Sequence, residues 1–343
     1  MVVNEVNENP TNVLAKKDFA SDADVRWCPG CGDYSILAQM QKMLAGFNTP
    51  PENIVFVSGI GCSSRFPYYM NTYGFHSIHG RAPTLATGLK ISRPDLLVFV
   101  ITGDGDGLSI GGNHLLHALR RNIDINIILF NNRIYGLTKG QFSPTSEVGK
   151  KTKSSPMGTI ENPLNPISVA HAAEATFVAR SFDTDPRHLM MTLERSARHQ
   201  GSSFVEIYQN CNIFNDGAFR DFTDKPVRKQ RMIYLKNERS MLFGEQSEYG
   251  IALDGTTPRI VDADGPDNKK IIVHQENDED PTIANILARI DSETMPIPVG
   301  VFREIQKPVY GDLLAEQINS AKKLRGDGDL ESLIRGENVW TVT

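Results

Sequence analysis

The 343-residue sequence has little cysteine, no excess of positive charge and no long apolar run. Each shortage removes a class of protein. Four cysteines, Cys28, Cys31, Cys62 and Cys211, are too few to staple a disulfide-rich secreted domain. With 36 Lys+Arg against 41 Asp+Glu, the formal net charge is −5, and the basic footprint of a nucleic-acid binder is missing. The longest apolar stretches, 96–102 and 123–130, are strand-length, far short of the roughly 18 residues that span a bilayer. The first twenty residues hold no apolar core of signal-peptide type and read as a mobile polar segment, 1–20. The expected setting is therefore the cytoplasm, with no membrane and no nucleic acid as partner. There thiols stay reduced, and a Cys-x-x-Cys pair holds metal or does redox work.

What remains is an ordinary soluble composition, 40% apolar and 22% charged. Helical spacing of apolar residues predicts helices over 34–47, near 82–92, 108–121, 166–174 and 185–200. Apolar runs at 53–58, 95–102, 124–130, 176–180 and 203–208 predict strands between them. This alternation predicts an α/β fold, a parallel sheet with helices on both faces. Ligands in such sheets sit at the carboxyl ends of the strands, which is where the informative motifs fall. Residues 140–165 form a long polar loop inside this unit. Beyond about 225 the pattern weakens, residues 244–285 are acidic and irregular, a short strand is expected near 269–274, and a helix over 311–323 closes the ordered part. The expected division is thus 21–225 as one large cofactor domain and 226–343 as a C-terminal extension.

Strand 95–102 runs into Gly103-Asp104-Gly105-Asp106-Gly107 and then a helix. Glycines let the backbone approach a ligand, and a helix N-terminus attracts phosphate. Two carboxylates there would repel a phosphate unless a divalent cation lay between, and Asp104 offers Mg²⁺ a hard oxygen. Asn131-Asn132-Arg133-Ile134 follows the next strand and would share that sheet edge.

Cys28 and Cys31 form the knuckle Trp27-Cys28-Pro29-Gly30-Cys31-Gly32. Cys62, in Gly59-Ile60-Gly61-Cys62-Ser63-Ser64-Arg65, and Cys211 both follow strands. Four thiolates can hold a structural Zn²⁺ or a [4Fe–4S] cluster, and a thioredoxin-like dithiol is a third reading. By spacing alone zinc and cluster stand level. The glycine-rich setting of Cys62 beside the phosphate turn, and the lack of a nearby histidine, tilt toward the cluster.

Taken together, these motifs resemble the β subunits of 2-oxoacid:ferredoxin oxidoreductases, of the 2-oxoglutarate type. The resemblance rests on WCPGCG (27–32), GIGCSSR (59–65), HGRA (79–82), GDGD (103–106), NNRIYGLTKGQFSPT (131–145), NPI (165–167), Cys211 and IPVGVF (297–302). It implies a thiamine diphosphate-binding fold of the pyrophosphate type. Cys28, Cys31, Cys62 and Cys211 fall on the ligands of a [4Fe–4S] cluster. Asp104, the Asn132 side chain and the Ile134 carbonyl fall on Mg²⁺ ligands. Ile60, Gly61, Cys62, Ser63, His79, Gly80, Arg81, Ala82, Gly105 and Asp106 fall on cofactor-contacting segments, as does the loop Gly136, Leu137, Thr138, Lys139, Gly140 and Gln141. His79 is also assigned to catalysis, with Arg65, which falls where relatives carry a basic residue linked to the distal carboxylate of 2-oxoglutarate. The implied reaction is reversible: 2-oxoglutarate and coenzyme A give succinyl-CoA and CO₂, with electrons passing singly to ferredoxin. No second α/β domain is visible, so an α subunit supplying the activating Glu is inferred, in an (αβ)₂ assembly. The alternatives are a pyruvate or broad-range enzyme, a nonredox thiamine diphosphate decarboxylase or synthase subunit with structural zinc, and a zinc-stabilised interaction module without catalysis.

Overall fold

The structure, a computed structural model, describes residues 14–47, 49–290, 294–340 and 342. Strands β1 (Ile54–Ser58), β2 (Tyr73–His76), β3 (Leu97–Gly103), β4 (Asn126–Asn131), β5 (Phe177–Phe182) and β6 (Ser203–Tyr208) are joined by later ones. These are β7 (Met232–Tyr234), β8 (Arg239–Ser240), β9 (Leu242–Phe243), β10 (Tyr249–Asp254), β11 (Thr257–Asp262), β12 (Val273–His274) and β13 (Ile297–Glu304). The main sheet has eight strands in the order β2-β1-β3-β4-β6-β5-β13-β7. Strands β1 to β6 run parallel; β13 pairs antiparallel with β5 and then carries β7.

Strands β1, β4, β5 and β6 are buried on both faces, which is why their sequences are largely continuous apolar runs rather than alternating ones. Alternate residues still part to opposite layers. Val55, Val57, Ile127 and Leu129 join one core, while Ile54, Phe56, Ile128 and Phe130 join the other. Helices α1 (Asp33–Ala45) and α6 (Pro186–Arg198) bury Ile36, Met40, Leu44, Leu189 and Leu193 in the second core. Helix α2 (Ala82–Ser92), α4 (Gly112–Arg120) and α5 (Pro166–Ala172) bury Ala86, Leu115, Leu119 and Ala170 in the first. Helix α6 begins where Asp185 accepts a hydrogen bond from the His188 N–H at 3.1 Å and Pro186 takes the first turn.

Four expectations need correction. The glycine-rich turn is itself a helical turn, α3 (Asp104–Leu108), and the predicted 108–121 helix starts only at Gly112. The first helix ends at Ser109, whose backbone leaves helical values, and Gly111 then packs against the Asp106 carbonyl, where a Cβ would stand 2.4 Å away. Edge strand β2 was not expected; its four residues are exposed and give no apolar signal. The weak region past 225 returns β13 and β7 to the main sheet, while the strand expected over 269–274 is reduced to Val273–His274. Of the segment expected to be mobile, residues 1–13 lie outside the described residues; further on, Phe19 is fully buried and Ala20 bridges Met70. The helix expected over 311–323 spans Tyr310–Arg325 and lies on the surface, followed by Leu330–Arg335. No described helix is long and apolar enough to cross a membrane.

Burial leaves three histidines poorly protonated. His171 in α5, His188 in α6 and His199 after α6 are each lowered to about 4, chiefly by desolvation. Their contribution to stability is whole above the unfolded value near 6.5 and is lost as pH falls toward 4. Asp33 and Asp183, raised by burial to about 7 and about 6, act oppositely, since they take up protons in the folded state first. Counting His114 and His274, lowered likewise, and Asp104, raised likewise, five groups against three give a net loss. The thermal midpoint is therefore expected to fall as pH drops from about 6.5 to about 4. A midpoint that rises over that window in a calorimetric pH series overturns this balance.

Candidate functional site

Strands β1, β3, β4 and β6 are neighbours, so the segments that follow them share one sheet edge. Strand order reverses beside β1, the topological switch point where open α/β sheets bind ligands. Two cavities open there. One, about 280 Å³, is lined by Ile60, Gly61, Cys62, Ser63, His79, Asp104, Gly105, Asp106, Asn132, Ile134, Gly136, Leu137 and Thr138, together with Asp33, Gly103, Phe130 and Tyr135. The other, about 230 Å³, is lined by all four cysteines with Arg26, Trp27, Arg65, Lys139, Gln209, Asn212 and Phe214. Asp33, Cys62, Asn132, Gly136 and Leu137 line both and form the wall between them.

In the first cavity Asp104 is 2% exposed. Its Oδ2 accepts hydrogen bonds from Ser143 Oγ at 2.5 Å and Thr145 Oγ1 at 2.7 Å. Burial raises its pKa, and those hydroxyls oppose the rise. Asn132 Oδ1 accepts the Ile134 N–H at 3.1 Å, which closes a tight turn. Asp104, Asn132 and Ile134 line the same cavity, and carboxylate, amide and carbonyl oxygens are donors of the kind Mg²⁺ takes. Gly105 leaves no room for a side chain: a Cβ would come within 2.2 Å of the Tyr135 ring, whose hydroxyl donates to the Gly105 carbonyl at 3.0 Å.

Asp106 is tied up by its own chain. Its Oδ1 accepts the Ile60 N–H at 3.0 Å, the Gly80 N–H at 2.7 Å and lies 2.7 Å from His79 Nδ1; its Oδ2 accepts from Thr102 Oγ1 at 2.6 Å. It fixes the two loops that line the cavity and orients the His79 ring. A carboxylate partner at Nδ1 makes that nitrogen the donor and leaves Nε2 as the other face of the ring. Arg81 turns away, with Nη1 2.7 Å from His114 Nε2. Gly80, Ala82, Gly140 and Gln141 also lie outside the cavity wall.

The cysteine cavity is assembled from four distant segments, three of which carry the cysteines. Trp27 Nε1 donates to the Cys62 carbonyl at 2.7 Å, and Asn212 Nδ2 donates to the Pro29 carbonyl at 2.6 Å. Gly136 lies between Cys62 and Cys211, where a Cβ would stand 3.5 and 3.6 Å from the two sulfurs. Among the described residues no group of three or more His, Cys, Asp or Glu is placed to hold one metal ion. The four cysteines line one cavity instead. Burial, followed by the Asp33 charge, pushes the Cys62 thiol up to about 12 and the Cys31 thiol higher still. The Cys31 thiol, so held, is a poor nucleophile on its own. Thiolates form here only with positive charge brought between them. Asp33 is 1% exposed, neither oxygen has a hydrogen-bond partner, and burial followed by the Asp183 charge raises its carboxyl to about 7.

Arg65 lines the cysteine cavity and donates through Nε to Tyr69 Oη at 3.1 Å. Lys139 lines the same space, in a left-handed conformation with φ 76°. Sequence reasoning missed Asp33, Tyr135, Gln209, Ser143 and Thr145. Tyr135, Ser143 and Thr145 stood inside a quoted motif, but only the fold brings the Ser143 and Thr145 hydroxyls to Asp104.

Fold and site together define a thiamine-diphosphate-binding subunit of the oxidoreductase class. The model of the thiamine pyrophosphate enzyme C-terminal TPP binding domain matches residues 59–207. The chain is 52% identical to the 2-oxoglutarate oxidoreductase subunit KorB of Mycobacterium tuberculosis, over 95% of this chain and 88% of that one. It is 41% identical to the 2-oxoglutarate synthase subunit KorB of Methanocaldococcus jannaschii, over 63% of this chain and 81% of that one. A chain of the 2-oxoglutarate:ferredoxin oxidoreductase from Magnetococcus marinus, solved with 2-oxoglutarate, coenzyme A and succinyl-CoA bound, superposes with TM-score 0.75. It is 30% identical and covers 96% of this chain and 97% of its own length. The chain belongs to the family of 2-oxoacid:ferredoxin oxidoreductase β subunits.

Proposed function

We propose that the chain is the β subunit of a 2-oxoglutarate:ferredoxin oxidoreductase. One observation carries the reading: an oxygen-donor cavity and a four-cysteine cavity share a wall five residues wide. That arrangement sets a decarboxylating cofactor against a one-electron acceptor. The reaction takes 2-oxoglutarate, coenzyme A and two oxidised ferredoxins to succinyl-CoA, CO₂, a proton and two reduced ferredoxins. Thiamine diphosphate supplies the electron sink for decarboxylation, and a [4Fe–4S] cluster supplies single-electron steps.

Asp104, the Asn132 side chain and the Ile134 carbonyl would hold Mg²⁺ against the diphosphate. Gly61 to Ser63, Gly105, and Gly136 to Thr138 give the cofactor backbone to lie on. His79, held by Asp106 at Nδ1, would donate to a bound anion through Nε2 when the ring is protonated. Cys28, Cys31, Cys62 and Cys211 would hold the cluster. A single zinc suits this cavity less well, because tetrahedral zinc draws four ligands to one point about 2.3 Å from each sulfur. Anaerobically purified protein should be brown, contain iron and sulfide, and bleach on reduction; a colourless protein with stoichiometric zinc would sink the cluster.

Apolar Ile78, Leu137 and Phe214 are exposed near these cavities, which fits an edge completed by an α subunit bringing the activating Glu in an (αβ)₂ assembly. Ferredoxin would dock where Cys28 is exposed, and the cytoplasm is the proposed location. Arg65 is the proposed reader of the distal carboxylate, since a guanidinium binds carboxylate bidentately. Arg65→Ile should raise pyruvate use relative to 2-oxoglutarate about tenfold or more, the range expected for a lost charge-assisted hydrogen bond. An unchanged ratio of kcat/KM values removes that role and leaves a broad 2-oxoacid range.

A further inference from the structure

Gln209 follows β6 and is 1% exposed. Its amide can face only one way. The Ile134 N–H occupies Asn132 Oδ1 at 3.1 Å, so Asn132 must present Nδ2 to its other neighbour. Asn132 Nδ2 then donates to Gln209 Oε1 at 2.8 Å. This turns Gln209 Nε2 toward the Asn210 carbonyl at 2.7 Å and Cys31 Sγ at 3.2 Å. Both amide protons and the carbonyl are used, and the donor aimed at the sulfur is held from the opposite side by the loop that carries Asn132.

We propose that Gln209 raises the reduction potential of the cysteine-held iron–sulfur centre by donating N–H to the Cys31 sulfur. The inference rests on the reading of the four cysteines as cluster ligands. Reduction adds negative charge that spreads onto the sulfurs. A fixed donor stabilises the reduced state more than the oxidised one, and hydrogen bonds to sulfur are a main determinant of cluster potential. Exclusion of water from this buried amide strengthens the effect. Gln209 contacts a candidate ligand and no substrate, so its role is positioning and tuning.

The test is a reductive titration of the assembled holoprotein followed by electron paramagnetic resonance, with iron and sulfide measured alongside. Gln209→Met keeps the reach of the side chain and removes the donor. The variant should carry a full cluster that is harder to reduce, its midpoint shifted negative of the parent. Gln209→Glu, with an oxygen in place of the donor, should shift the same way and serves where the Met variant does not load. A full cluster with an unshifted midpoint in either variant overturns the proposal. So does failure of both to hold a cluster, which would make Gln209 a structural residue. Parent protein without iron and sulfide would instead sink the cluster reading itself, so the two failures are distinguishable.

Discussion

Asp104→Asn is expected to abolish Mg²⁺-dependent retention of thiamine diphosphate. The substitution keeps size and shape, and the residue stays within reach of the Ser143 and Thr145 hydroxyls, so the sheet edge should hold. What changes is charge. A carboxylate buried to 2% is costly to keep ionised, and burial raises its pKa accordingly. Two donated hydroxyls offset part of that cost, and a divalent cation would offset the rest. The diphosphate is itself anionic, so without the cation it meets a negatively charged wall. Loss of a residue that merely supports a metal ligand typically costs 10–100-fold in metal affinity, and loss of the ligand itself should cost at least about 100-fold. Titration calorimetry of thiamine diphosphate with and without Mg²⁺ reads this directly. Equal affinity in parent and variant would remove Asp104 from the cation site.

How far the site could be read from sequence depends on how local its determinants are. Asp104 and Asn132 were legible because each ends a continuous apolar strand, and parallel neighbours deliver their ends to one edge. The register of β3 against β4, with Gly103 opposite Phe130, does so here. Asp106 was legible as part of the site but not in its task, because four partners drawn from β3 and two other loops decide what its oxygens touch. Arg81 looked like an anion donor by its place in HGRA, yet the start of α2 sends it to His114. Gln209 has no local signal, and Ser143 and Thr145, though inside a quoted motif, show no task there; a polar loop residue acquires its meaning from a partner many residues away. The C-terminal strands fail for a related reason. Ile297–Glu304 is apolar enough to be a buried strand, but nothing nearby says that it pairs with β5, or that it runs antiparallel.

Cys62→Ala should leave a colourless protein that still binds thiamine diphosphate. The four cysteines come from three loops, and Cys62 is the one whose residue also lines the first cavity. Its backbone is held independently of the sulfur, since its carbonyl accepts from Trp27 Nε1 at 2.7 Å. Removing the thiol therefore takes a ligand and leaves the wall. Of the thiols that remain, Cys31 is pushed upward by burial and then by Asp33 and has little tendency to ionise alone. A cluster short of one ligand should be lost on purification, with iron and sulfide falling to background and the visible absorption with them. Cofactor retention should stay within about threefold of the parent, because Asp104, Asn132 and Ile134 are untouched and the Cys62 backbone stays in place. The opposite pattern would overturn the division of labour between the cavities. Full iron content in Cys62→Ala would exclude Cys62 as a ligand. Loss of thiamine diphosphate along with iron would mean that the two cavities fold as one cooperative site.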